Sequence, residues 1–78
     1  MKAIYSSEYM QIGLKIAYYR KLRGLTQEQL AETIDKTPAF IGHVEAPNID
    51  KAISLDTLFD IARELDVPPY KFLLFDEE

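Results

Sequence analysis

Few residues in this chain are equipped to make or break bonds. His43 is the only histidine, and there is no cysteine. A lone histidine on a helix is neither a metal site nor, by itself, a catalytic base. No glycine-rich stretch is present to cradle a nucleotide phosphate, and no His/Cys/Asp/Glu set has ligand spacing. Acidic neighbours such as Glu32 and Asp35 read as solvated faces. The expectation is a protein with no catalytic residues, no metal, no cofactor and no small-molecule substrate. What remains is charge and hydrogen bonding. Lys15, Arg20, Lys21 and Arg23 form a local basic cluster, and a local patch matters more for phosphate contact than total charge does.

The net charge is -4, and it is unevenly distributed. Residues 1–36 hold six Lys/Arg and four Asp/Glu, whereas residues 37–78 hold three and nine. With 78 residues, 47% of them hydrophobic, the chain is long enough for one domain, 1–78, near the lower limit for a self-sufficient core. Without cysteine there is no disulfide framework. The apolar runs are far short of the roughly 20 residues that span a bilayer. The start, Met1-Lys2-Ala3-Ile4-Tyr5, lacks the apolar stretch and cleavage site of a signal peptide. A cytoplasmic protein with no membrane partner is expected.

Spacing and caps predict five helices, an all-α compact bundle. Ser7 is placed to cap the first, leaving residues 1–7 as an N-terminal extension. Ile12, Ile16 and Tyr19 share one face of this helix. Gly24 follows its basic end as a stop. Thr26 and Gln29 fit a capping box opening a second helix, about Gln27 to Ile34, with Leu30, Ala31 and Ile34 inward. Asp35 tolerates the left-handed conformation of a tight turn. Thr37-Pro38 opens a third helix, Pro38 to Glu45, with Ile41 and Val44 inward. Ala46-Pro47-Asn48 breaks it, and a loop runs to Ile53. Ser54 caps a fourth helix with a Leu58, Ile61, Ala62 and Leu65 stripe. Pro69 can start a short fifth helix through Phe72 and Leu73. Residues 76–78 read as an acidic, solvated tail.

The second and third helices, joined by a three- or four-residue turn, form a helix-turn-helix. The second helix of such a unit is narrow enough to enter the major groove, where base edges are distinguishable. The first crosses the backbone and holds it in register. Ile12-Gly13, Ile16, Arg20, Gly24-Leu25-Thr26-Gln27, Leu30-Ala31, Ile41, Val44-Glu45, Leu58, Ile61-Ala62, Leu65 and Val67 resemble, in order and spacing, the lambda-repressor-like (Cro/XRE-type) family over roughly residues 9–74. The resemblance implies a five-helix bundle that binds operator DNA, usually as a dimer. Carried over position by position, it implies that Gln27 contacts a phosphate and that Thr37, Pro38 and Ala39 sit nearest the bases. It places His43 toward the groove or a phosphate, and Asn48 and Lys51 within reach of the backbone. Lys36 joins this DNA-binding set. The bland readings are a helix-start residue for Gln27, solvent exposure for His43 and ordinary surface lysines for Lys36 and Lys51. Arg20 is expected to tie the first helix to the acidic side of the bundle, with Glu45 as a candidate partner. Phe40 is expected to pack.

Several positions depart from that pattern. Many relatives carry Gln, Arg or Ser where this chain has Pro38, Ala39 and Gly42. Pro38 has no N–H, and Ala39 offers only a methyl contact, for example to thymine. Gly42 costs a short helix about 1 kcal/mol relative to Ala. The acidic balance also points to weaker non-specific DNA binding than a basic repressor shows.

One pattern exceeds what the fold needs. Met10, Leu14 and Tyr18 form a second apolar stripe on the first helix. Leu55 and Phe59 add a similar surplus on the fourth, and Leu74-Phe75 another at the end. Exposed apolar patches usually mark an interface, so Met10, Leu14, Tyr18, Leu55, Phe59 and Phe75 are the candidate dimer contacts. The alternative is that the chain ends fold back over them. The leading functional reading is a double-stranded DNA-binding transcriptional regulator, a repressor acting as a homodimer. The alternative is a protein-interaction module of antitoxin-like or antirepressor-like kind on the same scaffold, with DNA binding weak or lost.

Overall fold

A computed structural model describes residues 4–47 and 51–75. Four α-helices follow one another: α1 (Ser6–Leu22), α2 (Gln27–Thr33), α3 (Pro38–Glu45) and α4 (Leu55–Leu65). A 3₁₀ helix, Pro69–Leu73, closes the order. There is no strand among the described residues. The expected fifth helix is therefore a 3₁₀ turn. Pro68 and Pro69 supply no N–H donors, and five residues are too few to sustain an α-helix. The Lys71 amide donates to the Pro68 carbonyl at 3.0 Å, an i→i+3 bond.

The start of α1 also differs from expectation. The helix begins at Ser6, and Tyr5 precedes it without a side-chain cap. Ser7 lies inside the first turn, where its Oγ accepts from Gln11 Nε2 at 3.4 Å. The Tyr9 amide already donates to the Tyr5 carbonyl, so the backbone opens the helix before Ser7 can cap it. An extension through residue 7 is thus too long, because Ser6 and Ser7 are helical. The acidic tail, 76–78, lies outside the described residues.

The other starts follow their caps. Thr26 Oγ1 accepts from the Gln29 amide at 3.0 Å, and Gln29 Oε1 accepts from the Thr26 amide at 2.8 Å. Thr37 accepts from the Phe40 amide and Ser54 from the Thr57 amide. Each hydroxyl satisfies a donor that has no partner within its helix.

Three helices end on a shared device. Gly24, Asp35 and Asp66 have φ of 76°, 59° and 56°. At each, the next residue's amide reaches five residues back: Leu25 to Arg20, Lys36 to Ala31 and Val67 to Ala62. This left-handed stop satisfies carbonyls the helix end leaves open. Glycine adopts it freely; the two aspartates do so at some cost.

The core gathers one face of every element. Ile16, Leu30, Ile41, Leu58, Ile61, Leu65 and Phe72 are fully buried, each worth roughly 1.5–3 kcal/mol of transfer free energy. Phe72 packs edge-on against Tyr19 at 5.4 Å, pinning the 3₁₀ helix to α1. Gly13 is buried on α1 where that helix crosses α3. A Cβ there would collide with the Val44 carbonyl oxygen. The crossing therefore needs a residue without a side chain.

Candidate nucleic-acid interface

The turn between α2 and α3 is set by two local features. Asp35 reverses the chain in the left-handed region, and Thr37 caps α3 with Pro38 in its first turn. α3 has the bounds that the sequence suggests. It ends at Glu45 because Pro47 holds Ala46 extended, at φ -69° and ψ 127°. Ile41, Val44 and Glu45 are buried on its inner face, while Thr37, Pro38, Ala39 and His43 are exposed. The four residues proposed to stand nearest DNA thus share the surface.

A buried polar network holds α3 in place. Arg20 on α1 donates from Nε to Glu45 Oε2 at 2.7 Å and from Nη2 to Glu45 Oε1 at 2.8 Å. Its Nη1 donates to the Leu25 carbonyl at 2.6 Å. Gln27 Nε2 donates to Glu45 Oε1 at 3.0 Å. One carboxylate therefore joins α1, α2 and α3. These hydrogen bonds hold the Arg20 guanidinium above its already high ordinary pKa, with burial pulling the other way. The expected tie between Arg20 and the acidic side of the bundle is present, with Glu45 as partner. Gln27 is half-buried, and in this state its amide group is engaged by Glu45.

The basic cluster of α1 does not form one outward patch. Arg20 faces inward. Arg23 crosses to the far end of α4, donating from Nε to the Leu65 carbonyl at 2.6 Å and from Nη2 to the Asp66 carbonyl at 3.0 Å. It satisfies open carbonyls at that helix end, where a cation is also favoured by the dipole. Sequence spacing cannot show this, because the carbonyls lie over forty residues away. Gly13 and Arg23 are structural residues whose roles the sequence reading missed. Gly13's place in the family pattern was the one signal available.

Lys36 and Lys51 are both exposed. Their ammonium groups lie 5.3 Å and 5.5 Å from the centre of the Phe40 ring. Phe40 is half-buried and packs against the core, as expected. Asn48 lies outside the described residues. No group of three or more His, Cys, Asp or Glu is placed to hold a metal among the described residues.

The surplus apolar residues divide. Leu14, Tyr18, Leu55 and Phe59 are exposed, at 51%, 58%, 61% and 48%. Met10 is half-buried, and Phe75 packs against the core. Ile4 and Tyr5, which a folded-back terminus would bury, are themselves exposed.

A short helix that steadies a second, outward-presented helix across a tight turn defines a helix-turn-helix domain. The helix-turn-helix family model matches residues 16–72, and the chain belongs to this family, of the Cro/XRE type. The fold is shared with the restriction-modification controller protein C.AhdI from Aeromonas hydrophila. That structure superposes with a TM-score of 0.79 at 24% identity, covering 90% of this chain and 99% of the other. A comparison with curated proteins finds no match. No described helix is long and apolar enough to cross a membrane.

Proposed function

We propose that this chain is a double-stranded DNA-binding transcriptional regulator, a cytoplasmic repressor that reads the major groove with α3. The observation that carries this reading is the presentation of α3. Its outer residues Thr37, Pro38, Ala39 and His43 are exposed, while its inner face is fastened through Glu45 to two other helices. A reading helix must be held rigidly while its outer face stays free. Gln27, Lys36, Asn48 and Lys51 are the proposed phosphate contacts around it. Gln27 serves that role only with what Glu45 leaves free, namely the second N–H of its Nε2 or a rotated amide.

The proposed assembly is a homodimer, so that two α3 helices meet successive turns of the groove. Exposed Leu55 and Phe59 on α4 and Leu14 and Tyr18 on α1 are the surfaces to test. Phe59→Glu and Leu14→Glu, compared by sedimentation, identify which stripe is used. If neither variant changes a dimer's dissociation, both stripes are excluded.

The second reading, a protein-interaction module with DNA binding weak or lost, is favoured by a specific observation. Arg20 is buried against Glu45, and Arg23, though exposed, is tied to the carbonyls ending α4, which leaves fewer free cations at the surface. One experiment separates the two. Protein is mixed with a random duplex pool at about 50 mM salt, where the phosphate contribution is strongest, and bound DNA is selected and sequenced. Enrichment of an inverted repeat with half-sites about one helical turn apart supports a dimeric reader. A single half-site supports DNA binding without the dimer. No enrichment and no retention favours the interaction module.

A further inference from the structure

We propose that Phe40 is a positioning residue that gathers Lys36 and Lys51 into a paired clamp for DNA backbone phosphate beside the exposed front of α3. This rests on the DNA-binding reading of the same site. Lys36 belongs to the turn before α3 and Lys51 to the loop after it, yet both ammonium groups converge on one ring, at 5.3 Å and 5.5 Å. Both distances are within the range at which a cation is drawn to an aromatic face. The ring is a firm platform. It packs against the core, and the Phe40 amide donates to Thr37 Oγ1 at 3.1 Å in the cap of α3.

A ring attracts two cations but does not neutralise them. Among the described residues, neither ammonium has a carboxylate within ion-pair distance. Arg20 by contrast is matched by Glu45 and Arg63 by Asp60. Two cations that share one ring, with no carboxylate in ion-pair distance of either among the described residues, favour an anion that both can reach. An ammonium resting on a ring keeps N–H groups directed away from it, free to donate to phosphate oxygens. Thr37, Pro38 and Ala39 are exposed between Lys36 and the shared Phe40 ring in the chain, so a duplex meeting the front of α3 brings its backbone to these lysines. The ring restricts where two long side chains point, which lowers the entropy lost on contact.

The test measures affinity of the full chain for a mixed-sequence duplex of about 30 base pairs by fluorescence anisotropy, from about 50 to 200 mM salt. Each lysine that contacts a phosphate contributes about 0.9 to the slope of log affinity against log salt. Lys36→Gln and Lys51→Gln are each expected to lower the slope by about 1, and the double variant by about 2. Phe40→Leu is expected to weaken binding about four- to twenty-fivefold, because each of the two lysines must then be ordered on contact, at about two- to fivefold each. Phe40→Tyr keeps the ring and should stay within about twofold of wild type. The decisive comparison places Phe40→Leu in the K36Q/K51Q background. A positioning residue then has nothing left to position, and no further loss is expected. An equal loss with and without the lysines would mean that Phe40 acts through packing alone, and the proposal falls. An unchanged salt slope in K36Q/K51Q overturns it too, and needs no change in the core. Binding by wild type with an unchanged slope removes only the clamp. Failure of wild type to hold any duplex removes the DNA-binding reading with it.

Discussion

Glu45 is the residue whose loss should damage this domain most for its size, and the cost can be worked from its contacts. Arg20 and Glu45 are each only 7% exposed. Truncating Glu45→Ala deletes both hydrogen bonds from Arg20 and the one from Gln27. Only the 2.6 Å bond to the Leu25 carbonyl then remains to the guanidinium. A buried charge stripped of its partner typically costs about 3–5 kcal/mol. A domain of 78 residues has a total stability of roughly 4–12 kcal/mol, so E45A should remove a quarter of it or more. At about 4–8 °C per kcal/mol for a chain of this size, the melting temperature should fall by at least about 12 °C. The companion is R20M/E45L, which removes both charges and fills their space with apolar atoms. It should lie within about 2 kcal/mol of wild type, because the desolvation of two charges is removed together with their attraction. Urea unfolding followed by circular dichroism measures E45A and the four corners of the cycle, wild type, R20M, E45L and R20M/E45L. A coupling of about 2 kcal/mol or more is expected. An E45A cost below about 1 kcal/mol, or a double variant equal to the sum of the singles, would refute the reasoning. The folded-state pKa of Arg20 is raised, so its contribution is complete below the unfolded value and lost only as pH rises through the folded one. Stability should not decline on this account between neutral and moderately alkaline pH.

Three further outcomes follow from the geometry. Gly13→Ala places a Cβ against the Val44 carbonyl oxygen, and α1 must separate from α3; a loss of about 1–3 kcal/mol or more is expected in urea unfolding, and a neutral result would show that the crossing is looser than described. Asp66→Gly relieves a left-handed non-glycine residue at φ 56° and removes an anion from a helix C-terminus; a gain of up to about 1 kcal/mol in thermal melting is expected, and a loss would mean that the aspartate side chain supports the turn. The exposed front of α3 offers Pro38 and Ala39, which can contact only apolar base edges such as the thymine methyl. Replacing thymine by deoxyuridine throughout a selected operator should therefore weaken binding about tenfold or more, whereas an unchanged affinity would assign discrimination to His43, Thr37 or DNA shape.

The local elements of this protein were legible because their signals are local. A cap acts over three residues, which is why Thr26, Thr37 and Ser54 mark the starts of α2, α3 and α4. Proline and a left-handed aspartate act on their own neighbours, so the turn at Asp35 and the end of α3 at Glu45 could be read directly. The ordered family pattern carried the fold, and the expected tie of Arg20 to the acidic side of the bundle is met by Glu45. The start of α1 was misplaced for the converse reason. No side-chain cap opens it, so a nearby serine drew the boundary too far on.

What only the tertiary structure decided is which side chains are free to act. Lys15, Arg20, Lys21 and Arg23 look alike as a basic run in sequence. In the fold, Arg20 turns to Glu45 and Arg23 to the carbonyls ending α4. Lys36 and Lys51 enter the expected DNA-binding set as separate residues fifteen apart in sequence, and the fold brings them to a single ring. Residue type and spacing determine a helix because its hydrogen bonds close within four residues. They do not determine an electrostatic surface, because a charge pairs with whatever the folded chain places within about 4 Å of it, and that neighbour is distant in sequence.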